Sequence, residues 1–125
     1  MNEKIFKAYD IRGQYPREIN ERVVSAIAIK LPKLLGKRIV VAHDARLSSP
    51  ALYKAVLKGL QHSNVLKNVR MTTTPMFYFL VNKLKASGGI MVTASHNPKN
   101  FNGLKVVGKN AKPISGKEIL LLFKK

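Results

Sequence analysis

Short apolar runs alternate with stretches of helical spacing along this chain, and that alternation confines it to a layered α/β architecture. Ile39-Val40-Val41-Ala42, within an expected strand from Arg38 to His43, is too short for a buried helix and is rich in β-branched residues. Asn64 to Met71, Ile90 to Thr93 and Leu104 to Val107 read as three further strands. Between them, Val23, Val24, Ile27, Leu31, Leu34 and Leu35 recur at helical spacing, with Pro32 expected to kink the helix or mark its last turn and Gly36 to end it. Ser49 reads as an N-cap with Pro50 at the first helical position, opening a helix through about Gln61, and Thr74-Pro75 repeats the device before Met76 to Lys85. After a turn over Lys109 to Pro113, Ser115 and Glu118 have capping-box spacing ahead of Ile119 to Phe123. The stretch from Tyr9 to Tyr15 reads as a loop. The expected fold is a three-layer α/β/α sandwich with a mainly parallel, mixed sheet, carrying function on the loops at its strand C-termini.

A length of 125 residues suits one hydrophobic core, so residues 1–125 are read as one domain. The chain has no apolar run of 18 residues, and Met1-Asn2-Glu3-Lys4 is not followed by an apolar stretch, so neither a membrane span nor a signal peptide is expected and the protein reads as cytoplasmic. Without cysteine, disulfides and thiolate metal sites are excluded. The net charge of +17 stands out, but the lysines are scattered from Lys4 to Lys125 with few aromatics among them. Such scatter marks a solvated surface; the alternative is a non-catalytic basic domain that binds a polyanion, nucleic acid included, or a partner protein.

The densest chemistry lies in Thr93-Ala94-Ser95-His96-Asn97-Pro98, directly after the apolar run Gly88-Gly89-Ile90-Met91-Val92. A strand that stops there exposes a hydroxyl beside an imidazole that titrates near neutral pH, and Pro98 limits how far the loop can move. This suits a covalently modified serine. The stretch GGIMVTASHNP resembles the phosphoserine loop of the α-D-phosphohexomutases, the phosphoglucomutase and phosphomannomutase family. Phe6-Lys7-Ala8-Tyr9-Asp10-Ile11-Arg12-Gly13 is similar to that family's N-terminal signature, Asp44-Ala45-Arg46-Leu47-Ser48-Ser49-Pro50 to its first strand-to-helix loop, and Thr73-Thr74-Pro75-Met76 to a further stretch. The resemblances fall in the family's order from about Phe6 to Val107.

The resemblance implies that Ser95 carries a phosphoryl group passed to and from a hexose phosphate, interconverting 1- and 6-phosphates through a bisphosphate. It implies a role for His96 in proton transfer or sugar orientation, for Lys105 in stabilising phosphate charge, and for Arg12, supported by Tyr9, in gripping phosphate oxygens. Arg46 and Asn97 are further candidate phosphate contacts in the same cleft. In the resembling enzymes Mg2+ bridges the serine phosphate and an aspartate-rich DGDGDR-type loop. No such loop occurs here, and Asp10 and Asp44 are too few for a metal cage, so Ser95, through its phosphate, is the one expected metal ligand. Glucose 1,6-bisphosphate or an equivalent is the implied activator, and glucose or mannose phosphate the implied substrate.

The resembling enzymes have four domains, of which this chain matches the first; the metal-binding, sugar-binding and C-terminal phosphate-binding parts are not in it. Inactivity alone is therefore expected, with the missing domains on another chain as a candidate partner. Within the matched region Lys99 and Asn100 stand where the family often has an acid, Phe101 replaces a usual tyrosine, and Asn68-Val69-Arg70 lacks a common glycine. His43 and His62 are given no role.

Overall fold

In the middle of the sheet β2 (Arg38–His43) is buried at every position after Arg38, as a strand covered on both faces must be. The structure, a computed structural model, describes residues 1–124 apart from the side chains of residues 67 and 68, so Lys125 and the Asn68 side chain of the departure noted above lie outside the described residues. Parallel neighbours flank β2: β3 (Asn64–Met71) on one side and β4 (Gly88–Val92) on the other. β5 (Phe101–Gly108) runs antiparallel to β4, and β1 (Ile11–Gln14) antiparallel to β5, giving the order β1-β5-β4-β2-β3. The sheet is mixed as expected, with its two parallel ladders gathered around β2.

Period-two alternation divides the core between the two faces. On one face Ile39, Val41, Ile90 and Val92 meet Val24 and Ile27 of α1 (Glu21–Lys30) and Leu52 and Val56 of α3 (Ser49–Gly59). On the other, Val40, Ala42 and Met91 meet Phe77 and Val81 of α4 (Thr74–Lys83). The chain steps from β2 outward to β3 through α3, then returns across β2 to β4 through α4. With crossovers of one hand, opposite directions of travel put α3 and α4 on opposite faces.

Several boundaries differ from the sequence reading. Pro32 ends one helix and opens another: α1 stops at Lys30, α2 (Pro32–Leu35) follows, and Gly36 closes it at φ +72°, a conformation that favours glycine. Ser48, not Ser49, is the residue before α3, and Thr73, not Thr74, caps α4 by accepting the Met76 N–H at 3.2 Å. Ser49 cannot serve as cap because its hydroxyl is turned into the protein and donates to Asp44. β1 falls in the segment read as a loop, being a strand of four residues whose ladder is with β5, with an isolated bridge from Ile11 to Phe6 on its other side. That pairing also explains why β5 begins at Phe101, three residues before its expected start: Phe101 to Leu104 face β1. Gly103 makes the contact possible, since a Cβ there would lie 1.8 Å from the Ile11 carbonyl oxygen. The capping box at Ser115 and Glu118 forms as expected and opens α5 (Gly116–Leu120). Among the described residues no helix is long and apolar enough to cross a membrane.

Candidate active site

Three parallel strands deliver their C-terminal loops to one edge of the sheet, and β5 starts at that same edge because Val92 pairs with Leu104 and Met91 with Lys105. Here the chain has left β2 for neighbours on both sides, which is where open α/β sheets form their binding crevice. Asp44 after β2, Thr72 to Pro75 after β3, Thr93, Ser95 and His96 after β4, and Lys105 on β5 line a cavity of about 640 Å3. A second cavity of about 510 Å3 adjoins it, sharing Asp44 and Ser95 and adding Arg46, Leu47, Asn97 and Lys99.

Ser95 stands between the two cavities, exposed, with φ +55°. An L residue in this left-handed region is uncommon and persists only where surrounding contacts impose it. Those contacts are visible. The Ser95 N–H donates to Thr93 Oγ1 at 3.1 Å, the Ser95 carbonyl accepts from Arg46 Nη2 at 2.9 Å, and both the backbone N–H and the side-chain amide of Asn97 donate to the Ala94 carbonyl, at 3.1 and 2.7 Å.

Asp44 organises the base of the loop. Its Oδ1 accepts from Ser49 Oγ and from the Arg46 N–H, and its Oδ2 from Thr93 Oγ1 at 2.8 Å and Arg46 Nε at 3.3 Å. Behind it, wholly buried Asn102 donates its amide to Ser48 Oγ at 2.7 Å and Ser49 Oγ at 3.0 Å. Arg46 reaches across the loop: Nη1 donates to the carbonyls of Pro98 and Phe101, and Nη2 to those of Ser95 and Asn97. With Nε on Asp44, all five N–H donors of the guanidinium are taken by the chain itself. In this structure Arg46 therefore holds the loop together, its donors directed to Asp44 and to four backbone carbonyls.

Of the other candidates, Ser95, His96 and Lys105 share one cavity. Arg12 pairs directly with Gly103, two residues from Lys105, so Arg12 and Lys105 leave the sheet on the same face as Met91, on the side of α4. Arg12 Nε lies 3.5 Å from Asp10 Oδ1, and the Arg12 side chain stays 39% exposed. Tyr9 is 75% exposed and lines neither cavity. Asn97 lines the neighbouring cavity, but its side-chain amide closes the loop turn. Thr93, Ser49 and Asn102 were not foreseen as site residues, and Asp44 was weighed only as a metal ligand. An aspartate and an arginine two apart after a strand, with two serines next, was the available signal.

Among the described residues no group of three or more His, Cys, Asp and Glu side chains could hold a metal ion. Both Asp44 oxygens are occupied by donors, and Asp10 is paired with Arg12.

The family model for phosphoglucomutase/phosphomannomutase, alpha/beta/alpha domain I, matches residues 3–124. The chain belongs to this family. Among similar proteins, a phosphohexose mutase of Xanthomonas campestris pv. campestris (strain B100) is 46% identical over 112 residues, which are 88% of this chain and 25% of that protein. A phosphomannomutase of Klebsiella pneumoniae is 44% identical over 113 residues, 89% of this chain and 72% of that protein. The crystal structure of a phosphoglucomutase/phosphomannomutase family protein from Burkholderia thailandensis superposes with a TM-score of 0.84 at 34% identity, covering 99% of this chain and 30% of that one. The chain thus spans about a quarter of the Xanthomonas relative and under a third of the Burkholderia protein. Membership in this family favours the mutase-domain reading over the polyanion-binding alternative.

Proposed function

We propose that this domain is the phosphoserine part of a phosphohexomutase: Ser95 Oγ carries the phosphoryl group exchanged with a hexose phosphate, glucose or mannose phosphate being the substrate class. The observation that carries the reading is the exposed, left-handed Ser95, fixed by Arg46 and Thr93 at the mouth of a cavity it shares with His96 and Lys105. A sugar hydroxyl attacks the phosphorus, the new sugar O–P bond forms, and the bond to Ser95 Oγ breaks. The reverse step returns a phosphoryl group from the bisphosphate to Ser95 and leaves the isomeric monophosphate.

In this scheme His96, next to Ser95 and lining the same cavity, exchanges a proton with the sugar hydroxyl. Lys105 and Arg12, on one face of the sheet, balance the charge of the transferring and spectator phosphates. A magnesium ion, when bound, would neutralise charge on the transferring group. The one ligand this chain would offer it is the Ser95 phosphate, the remaining oxygens coming from domains outside the sequence described. Glucose 1,6-bisphosphate or an equivalent is proposed as the compound that first charges the serine.

Complementation tests the proposal. The part of the Xanthomonas relative that this chain does not span is mixed with it and supplied with glucose 1-phosphate, Mg2+ and a trace of glucose 1,6-bisphosphate. Mutase turnover that needs both pieces and is lost in Ser95→Ala supports the reading; turnover that survives Ser95→Ala overturns it.

A further inference from the structure

Ser95 is gripped at both its backbone N–H and its backbone carbonyl, and both grips lead back to one carboxylate. Its N–H donates to Thr93 Oγ1, which in turn donates to Asp44 Oδ2. Its carbonyl accepts from Arg46 Nη2, while Nε of the same guanidinium donates to that same Asp44 oxygen. The other oxygen, Oδ1, is tied to Ser49 in the first turn of α3, so the unit is anchored in the body of the domain. Nothing local in the serine favours φ +55°, because the left-handed region brings the Cβ of an L residue too close to the following carbonyl oxygen.

We infer that Asp44, Arg46 and Thr93 form a positioning unit that holds Ser95 in this conformation and thereby sets the direction of its Oγ, while Arg46 and Asp44 touch no substrate. The catalytic consequence rests on the phosphoserine reading; the clamp is a property of the loop. Two roles for the arginine are separable by chemistry. If Arg46 acted as a positive charge beside a phosphate, lysine would replace it. A clamp needs the planar fork that reaches the carbonyls of Ser95, Asn97, Pro98 and Phe101 together, which an ammonium cannot do.

The test uses the full chain and Arg46→Lys, with Thr93→Val and Thr93→Ser as an independent pair. Amide hydrogen exchange is read at Ser95, Asn97 and Phe101, whose N–H groups are hydrogen-bonded, with β2 and β4 amides as internal reference. Arg46→Lys should speed exchange at these three amides by roughly tenfold or more and leave the reference amides unchanged. Thr93→Val should do so at Ser95, and Thr93→Ser should restore protection because it keeps the hydroxyl. In the complemented enzyme Arg46→Lys should lower kcat at nearly constant KM. Retained protection in Arg46→Lys and in Thr93→Val, or a raised KM with unchanged kcat, would overturn the positioning role. Should the complemented protein with Ser95 intact take no phosphate there, the phosphoserine reading fails by itself, and the exchange data still decide the clamp.

Discussion

Arg46 Nη2 donates to the backbone carbonyl of Ser95 at 2.9 Å across a sequence separation of 49 residues. The contact binds the loop after β2 to the loop after β4, so an arginine after one strand fixes the backbone of a serine after another. Replacement at Ser95 itself should expose the cost of that conformation. Glycine enters the left-handed region freely but gains freedom in the unfolded chain, so Ser95→Gly should leave stability within about 1 kcal/mol of the parent. Ser95→Val should cost about 1–3 kcal/mol, because β-branched residues resist this backbone. Urea unfolding of the two variants checks the contrast.

Ser49 is fully buried and serves two partners, donating to Asp44 and accepting from Asn102. Ser49→Ala deletes the donor to the carboxylate and strands part of the Asn102 amide. A loss of about 1–3 kcal/mol is expected. Denaturant midpoints measure it, and a neutral result would show that the Asp44 network does not need its anchor on α3.

Gly103 pairs with Arg12 at the join of β1 and β5, where an added Cβ would overlap the Ile11 carbonyl oxygen and crowd Arg12 Cα at 2.7 Å. Both obstacles are backbone and cannot rotate aside. Gly103→Ala should therefore cost about 3 kcal/mol, the upper end of overpacking, and detach β1. Loss of the cross-strand nuclear Overhauser effects between Ile11 and Leu104, with β2 and β4 contacts intact, is the expected signature.

The Tyr15 phenol donates to the Glu21 carboxylate at 3.0 and 3.1 Å, and its pKa is raised above the usual 10.0, first by desolvation and then by Glu21. A raised acid holds its proton longer in the folded state than in the unfolded one. The stabilisation is thus complete below pH 10.0 and is lost as pH rises through the raised value. Glu21→Gln should lower the Tyr15 pKa but leave it above the usual value, since burial is the larger cause. An NMR titration of the Tyr15 ring checks both directions.

Much of this architecture was legible because it rests on periodicity. Ile39 to Ala42 and Ile90 to Val92 alternate between two helical layers, and no other arrangement buries both of their faces. β1 escaped notice because Ile11 to Gln14 has no apolar run and becomes a strand only when β5 offers it a ladder. The caps of α3 and α4 were misplaced by one residue where a tertiary contact outweighed local preference, as the inward hydroxyl of Ser49 illustrates. At the site, the placing of Ser95 and His96 on a strand-end loop and of Lys105 on the next strand was legible, and the structure brings the three to one cavity. Arg46 was not: its role depends on carbonyls of residues 95, 97, 98 and 101, which no local pattern places within its reach.

The most direct test of Ser95 as the phosphoryl carrier is a phosphopeptide map of the complemented protein after incubation with glucose 1,6-bisphosphate and Mg2+. A single phosphate on the tryptic peptide holding Ser95, fragmenting to Ser95 itself and absent from Ser95→Ala, is the expected result. A phosphate on another residue, or one that persists in Ser95→Ala, would contradict it.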